Sequence, residues 1–379
     1  MNKSKNIKLV LVGGGHSHAI ALRLWGLNPL PGVDVTLISD VEQTPYSGML
    51  PGHVAGYYSY EETHIDLRCL TDFAGAKLIV DRAQELDLDG NIIICSSGDR
   101  IKFDYLSLDI GSTPQTIAIP GADKYAIPAK PVPQFLDAWY QLKQQATSTS
   151  ELPLSIAIVG GGAGGVELAL NMQACLSRIM SPKKLQINLI HRGDRLLSGH
   201  NDWVSNKLEK IIRKTEIELH LQQQVDTVHR NRIDCKSGLS IISDRVFWVT
   251  QATAPQWIAT SNLSTTKEGF ILVSDTLQSI SHPQVFAAGD IATMTGYSRP
   301  KAGVFAVRQG KPLFDNWQNI IADKPLLPYK PQSKYLALIG TGNRKAIASW
   351  SQFGWHSALL WRLKDYIDRQ FMTQFTRLC

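Results

Sequence analysis

The chain of 379 residues is poor in cysteine, and its five cysteines are scattered. Cys69, Cys95, Cys175, Cys235 and Cys379 form no C-x-x-C pair and no short C-x4-C pair. That spacing argues against a structural zinc site, a disulfide framework and a dithiol redox pair, and no metal is expected. Buried, inert thiols are expected instead. Long hydrophobic runs are also missing. The N-terminal apolar stretch from Ile7 to Val12 stops at three glycines and reads as a strand rather than a secretion signal. The best candidate for a bilayer span, Ala346 to Trp361, contains Gly354, His356 and several serines. A cytoplasmic protein is expected. No low-complexity segment occurs, and 44% hydrophobic with 19% charged residues is ordinary globular composition. The length asks for two or three domains.

Positive charge is absent as a general excess. The net charge of +6 is gathered between Lys330 and Cys379, where eight basic residues face only Asp365 and Asp368. A nucleic-acid binder would carry its basic surface on the recognition domain, so nucleic acid is not an expected partner. A basic appendage points instead to docking on an anionic surface.

The chain does contain a repeat. LVLVGGGHSHAIALRLW (Leu9 to Trp25) and SIAIVGGGAGGVELA (Ser155 to Ala169) each place a glycine loop between an apolar strand and an apolar helix. Each helix leads to another strand, Val33 to Ser39 and Leu185 to His191. Downstream, Asn91 to Gln115 and Arg232 to Gln256 repeat a Ser-Gly turn, an aspartate, an apolar strand and a turn ending Pro-Gln. One GxGxxG is weak evidence; two in the same context, with the same sequel, predict two dinucleotide-binding units. The strand Gln284 to Met294, ending in Gly289-Asp290, returns after the second unit, so the first is expected to be discontinuous. The predicted class is α/β, with two nested Rossmann-like domains. The first spans 1–130 and 275–330 and the second 150–260. A basic amphipathic region covers 331–379.

A pyrophosphate needs backbone N–H groups at a helix N-terminus. Gly160, Gly162 and Gly165 supply the tight turn, the close approach and the helix packing of the motif. In the first loop Gly13 and Gly15 take the phosphate-facing roles, while His18 takes the packing role and is expected to widen the helix–strand gap. His16 and His18 are too few for a metal without a third ligand. Asp40, after Ser39, stands about 20 residues past the first loop, where a ribose-reading acid is expected; Glu42 is its rival. The second unit ends its strand with His191-Arg192 and no acid, which tilts it towards the 2′-phosphate of NADPH.

These two loops, the Gly-Asp strand and the basic appendage resemble the two-dinucleotide-binding-domain flavoproteins, the pyridine nucleotide–disulfide oxidoreductase superfamily. Within it the chain is similar to type II NADH:quinone dehydrogenases. It is more similar still to the flavoprotein module fused to selenide, water dikinase, through GGGHSH, Thr44 to Gly52 and His64 to Leu67. The resemblance implies FAD on the first loop and NADH or NADPH on the second. The implied FAD residues are Gly13, Gly15, His16, Ser17, His18, Ser39, Asp40, Pro45, Gly48, Met49, Gly111, Gly289 and Asp290. Those for NAD(P)H are Gly160, Gly162, Gly165, Glu167, His191 and Arg192, with Glu167 near the nicotinamide. Lys301 and Gln309 are further candidates for contact with the flavin or the acceptor. The region after the first unit, where disulfide reductases carry their cysteine pair, has none, so electrons must pass directly from flavin to an acceptor such as a quinone. The alternatives are a soluble reductase with another acceptor, linked to selenium or sulfur metabolism, and a flavin-binding redox sensor. The apolar residues Leu360, Leu363, Ile367, Phe371 and Phe375 predict one face of a tail helix, for a membrane surface on the inner side, the protein itself or a dimer partner.

Overall fold

The computed structural model describes residues 6–114, 119–250 and 252–378. Gln115, Gln251 and Cys379 of the sequence reading lie outside them. The architecture is α/β and is built on two five-stranded parallel sheets. The first uses β1 (Ile7–Val12), β2 (Val33–Ser39), β3 (Lys77–Val80), β4 (Tyr105–Leu108) and, much later, β10 (Val285–Ala287). Its order is β10-β4-β1-β2-β3. The second uses β5 (Ala126–Pro128), β6 (Leu154–Val159), β7 (Leu185–Ile190), β8 (Ile217–His220) and β9 (Arg245–Trp248), in the order β5-β9-β6-β7-β8. Strands β1 and β6 each pair on both sides with parallel neighbours, which explains their nearly unbroken apolar sequences.

Helices cover these sheets. Helix α1 (His16–Leu27) follows β1 and packs on α6 (Gly303–Ile321); α2 (Leu67–Ala74) packs on α1. In the second unit α3 (Val132–Ser148) precedes β6, α4 (Ala163–Leu176) follows it, and α5 (Asp202–Ile212) follows β7. The repeat extends to a three-stranded antiparallel ribbon before the last repeated strand, 83–102 in one copy and 225–242 in the other. Thr113–Pro114 and Ala252–Thr253 pair with each other and tie the copies together.

The boundaries of the units differ from those read in the sequence. Ala126–Pro128, inside the 1–130 segment, is the edge strand of the second sheet. Ile258, Leu263 and Phe270, before residue 275, already belong to the first core. A strand joins whichever sheet edge its neighbour offers, and the loop before it carries no mark of that choice.

The chain ends in an antiparallel sheet, β11 (Ala337–Gly340), β12 (Ala346–Trp350) and β13 (Phe353–Ser357), followed by α7 (Ala358–Thr376). The expected apolar face of α7 is only partly covered. Phe371, Met372 and Phe375 enter the first core, whereas Leu363 and Ile367 are 40% and 44% exposed. No helix among the described residues is long and apolar enough to cross a membrane. The cysteines need one correction. Cys95, Cys175 and Cys235 are free and buried, but Cys69 is disulfide-bonded. Helix α7 folds back over the first unit, with Arg23 Nε donating to the Gln374 carbonyl at 3.1 Å.

Candidate functional site

The strand order of the first sheet lays out a site at its carboxyl edge. From β3 to β10 the strand ends deliver Asp81, then Ser39 and Asp40, then Gly13 to Gly15, then Gly111 and Ser112, and lastly Asp290. All of these line one cavity of about 860 Å³, a size suited to a cofactor. The cavity continues past Pro45, Tyr46 and Gly48 to Glu167 on α4 and to Lys364, Asp368 and Phe371 on α7. It is therefore walled by both repeated units and by the tail. Glu42, the rival of Asp40, is committed to an ion pair with Arg68.

At the first loop His18 does not leave a gap. It is fully buried, with Nδ1 2.7 Å from the Gly13 carbonyl and Nε2 2.8 Å from Ser107 Oγ. The ring thus brackets the loop to β4, and the expected widening becomes a filled contact. In the second loop glycine is required at the matching place, since a Cβ on Gly165 would stand 1.9 Å from the Gly160 carbonyl oxygen. Ser17 and His18 lie behind the cavity wall, whereas His16 lines it, edge-on to Tyr46 and Phe371. Burial lowers the pKa of both His16 and His18 to about 4, so both are neutral near pH 7.

In the middle of the cavity Lys130 Nζ lies 2.7 Å from Asp290, which also accepts from Ser112 Oγ at 3.2 Å. Burial works against the Asp290 charge, but Lys130 holds the carboxyl below its ordinary range. Lys301 donates to the Ala292 carbonyl at 2.6 Å and to Thr293 Oγ1 at 2.8 Å, with its ammonium over the Phe270 ring. Burial pulls its pKa down to about 8, against the attraction of Asp290. Gln309 is inside α6 and buried; its Oε1 accepts the Gly289 N–H at 2.7 Å, so it fixes the Gly-Asp turn. Met49 is also buried, in the first core.

At the far end Glu167 accepts from the Gly340 N–H at 2.6 Å. Burial pushes its carboxyl up to about 7, against the pull of Lys364. Lys364 donates to the Gly48 carbonyl at 2.6 Å and pairs with Asp368 at 2.7 Å. Burial disfavours this ammonium, yet Asp368 and Glu167 hold it above its ordinary range. Tyr46 donates to Asp368 at 3.1 Å and stacks on Phe371. Lys364, Asp368, Tyr46, Lys130 and Asp109 are site residues that the sequence reading missed. An acid at the end of an apolar strand, SLDIGS, was the one available signal, for Asp109. The others meet partners too distant in sequence to be seen.

The second loop lies at the carboxyl edge of its own sheet. His191 Nδ1 accepts the Gly161 N–H at 3.1 Å, and burial lowers its pKa. Arg192 is exposed at the end of β7. Ala163, Gly164 and Glu167, at the start of α4, are the part of this unit that reaches the shared cavity; Gly160, Gly162, Gly165, His191 and Arg192 lie outside its lining. Among the described residues no three His, Cys, Asp or Glu side chains converge to hold a metal.

Two sheets with glycine loops feeding one cavity find their counterpart in known proteins. The sequence profile described as pyridine nucleotide-disulphide oxidoreductase matches residues 7–310. The chain belongs to that family. This oxidoreductase is 22% identical to a probable NADH dehydrogenase of Dictyostelium discoideum, over 95% of its own length and 86% of the relative's. It is 24% identical to the type II NADH:quinone oxidoreductase of Haemophilus influenzae, over 92% and 82%. In fold the oxidoreductase superposes on the sulfide:quinone oxidoreductase of Aquifex aeolicus with a TM-score of 0.81, at 17% identity, covering 98% and 92% of the two chains. Against NDH2 of Plasmodium falciparum, solved with NADH, the TM-score is 0.82 at 16% identity, covering 99% and 98%. The oxidoreductase thus has the fold of flavin- and NAD(H)-dependent enzymes over nearly its whole length. Cys69, the disulfide-bonded cysteine among the described residues, does not line the cavity.

Proposed function

We propose that the oxidoreductase carries FAD on the first unit, takes hydride from NAD(P)H on the second, and passes the electrons to a quinone-type acceptor. The observation that carries this reading is the shared cavity, walled by Gly13 to Gly15 of one unit and by Ala163, Gly164 and Glu167 of the other. The residues fit the cofactor. The α1 N-terminus and its glycines suit the pyrophosphate, Asp40 suits the ribose, and Lys130 with Asp290 suits the polar chain between them. Bound there, the flavin would supply hydride acceptance and its onward transfer.

The protein supplies position and protons. Reduction of a quinone by NADH consumes one proton beyond the hydride. Glu167, whose carboxyl burial raises to about 7, holds one at the cavity wall, while the Gly340 N–H positions the group and, with Lys364, favours release of the proton. Arg192, exposed at the strand end with no acid in the ribose-reading place, supports acceptance of NADPH. Units at 1–130 with 275–330 and at 150–260 are the proposed cofactor domains, with the two exceptions at their borders described above.

The tail supports peripheral membrane attachment. Trp350, Phe353 and Trp355 are 56%, 77% and 61% exposed, and Leu359 and Tyr366 add apolar surface on α7. This patch suits a lipid-soluble acceptor at the inner face of a membrane; a homodimer contact is the other occupant it could take.

The test is spectroscopic. Purified protein is expected to be yellow, to bleach with NADH or NADPH without oxygen, and to recover colour on adding a soluble quinone much faster than in air. Protein that neither contains nor takes up flavin overturns the reading. Bleaching with equal rates by the two nucleotides removes the argument from Arg192.

A further inference from the structure

One buried acid in the cavity wall has no role so far. Asp109 follows β4, is 3% exposed, and reaches the cavity. Helix α1 begins at Gly15, which offers no side-chain cap. Asp109 fills that place from another strand: its Oδ2 accepts the N–H of Ser17 at 2.8 Å and of His18 at 3.1 Å. The carboxyl group also explains a glycine. A Cβ on Gly15 would lie 2.3 Å from Asp109 Cγ, so the phosphate loop rests directly on this side chain.

The second unit is an internal comparison. A Cβ on Gly13 would stand 2.4 Å from the Asp109 carbonyl oxygen, and one on Gly160 would stand 2.3 Å from that of Val249. Asp109 and Val249 are therefore equivalent positions, and the apolar side chain serves the fold there. The acid belongs to the first loop alone.

We propose that Asp109 is a positioning residue for the FAD of the first loop: it caps α1 from beneath, and the cofactor binds with this carboxyl group neutral, taking up a proton. The inference rests on the assignment of FAD to that loop. A pyrophosphate brings two negative charges to the same helix end, and a buried carboxylate beside it would repel them at low dielectric. The neutral acid still accepts the α1 amides through one oxygen and offers an O–H from the other.

At the α1 N-terminus Asp109 is the group brought near neutrality, while Glu167, raised to about 7, and Lys301, lowered to about 8, line the same cavity. From α1 the facing groups are His16 and His18, both uncharged above pH 5 because burial lowers them to about 4. From the turn after β10 it is Asp290, paired with Lys130. Helix α6 presents Gln309, bound to Gly289. Burial pushes the Asp109 carboxyl up to about 7, against its hydrogen bonds from His18 and Ser17, and Asp290 adds to the push. Below that pH the acid is already protonated, so affinity should be flat; above it, each pH unit should weaken binding by up to about tenfold.

The experiment uses the full chain stripped of flavin and titrated with FAD between pH 5.5 and 8.5, following flavin fluorescence. The wild type should bind with constant affinity below pH 7 and progressively more weakly above it. Asp109→Asn, neutral at every pH, should lose this slope and keep the low-pH affinity. Lys301 is present in both proteins, so its titration cancels in the comparison. Equal slopes in the two proteins, or a flat wild type, overturn the proposal. Should the variant fail to fold, calorimetry of FAD binding by the Lys301→Arg, Glu167→Gln protein at pH 7.5 in buffers of different ionisation enthalpy decides: net uptake approaching one proton supports it and zero uptake overturns it. Absence of FAD binding at every pH is a different result, which removes the cofactor assignment and this inference with it.

Discussion

Glu167 is costly to ionise where it sits. Its carboxyl is raised to about 7 in the fold, so between about pH 4.5 and 7 the native state holds a proton that the unfolded chain has released. Its contribution to stability therefore falls as pH rises through that window and stays low above it. Glu167→Gln removes the contribution. The melting temperature of the variant relative to wild type should rise between pH 5 and pH 8, by the equivalent of roughly 2–3 kcal/mol. A difference that is constant with pH would mean that the carboxyl is not raised. His16 and His18 work the other way: lowered to about 4, they lend stability that grows as pH rises from about 4 to 6.5. The wild-type profile combines these opposing contributions, so the difference between variant and wild type is the quantity that isolates Glu167. In turnover, Glu167→Gln should slow quinone reduction by about 10- to 100-fold if the carboxyl supplies the proton, while bleaching by NADH is less affected.

At the scale of elements, the two loops reach one backbone shape by different routes. In the second unit Gly165 leaves room for the Gly160 carbonyl, so Gly165→Ala forces backbone apart at the start of α4 and should weaken nucleotide binding. In the first, His18→Gly restores the motif in letters but deletes two buried hydrogen bonds, to Gly13 and Ser107. It should destabilise the protein by about 1–3 kcal/mol in a denaturant titration; an unchanged midpoint would show that the bracket carries no load. The repeated strands, loops and ribbons were legible in sequence because each is a local pattern of apolar period and glycine punctuation. The returning strand β10 was legible through Gly289-Asp290. The bracket, the cap and the charged end of the cavity were not. His18 meets Ser107, Asp109 meets α1, and Lys364 meets Glu167 and Gly48, and nothing in either local window names its distant partner. The tail helix and its apolar stripe were legible as well, but periodicity finds a stripe without saying which part of it faces the core.

The whole molecule depends on α7 in two directions. Its inner face closes the cavity, and two of the tail's eight basic residues are ion-paired there or beside it, Lys364 with Asp368 and Arg369 with Asp365 and Glu62. Most of the tail's basic residues stay free of these pairs, so charge can contribute to attachment on an anionic surface. Exposed apolar residues of the tail, Phe353 and Trp355 on β13 and Leu359 and Tyr366 on α7, offer insertion as well. The two contributions separate by salt. An electrostatic contact weakens as ionic strength shortens the screening length, whereas insertion of aromatic side chains is nearly indifferent to it. Full-length protein should therefore co-sediment with anionic vesicles at low salt and retain much of that binding at 0.5 M salt. Phe353→Ser with Trp355→Ser should abolish the salt-resistant part without altering flavin content or reduction by NADH, since neither residue lines the cavity. If the double variant binds vesicles as the wild type does, the patch is not the attachment surface. If wild type does not bind vesicles but elutes as a dimer that the substitutions convert to a monomer, the same face is covered by a second copy.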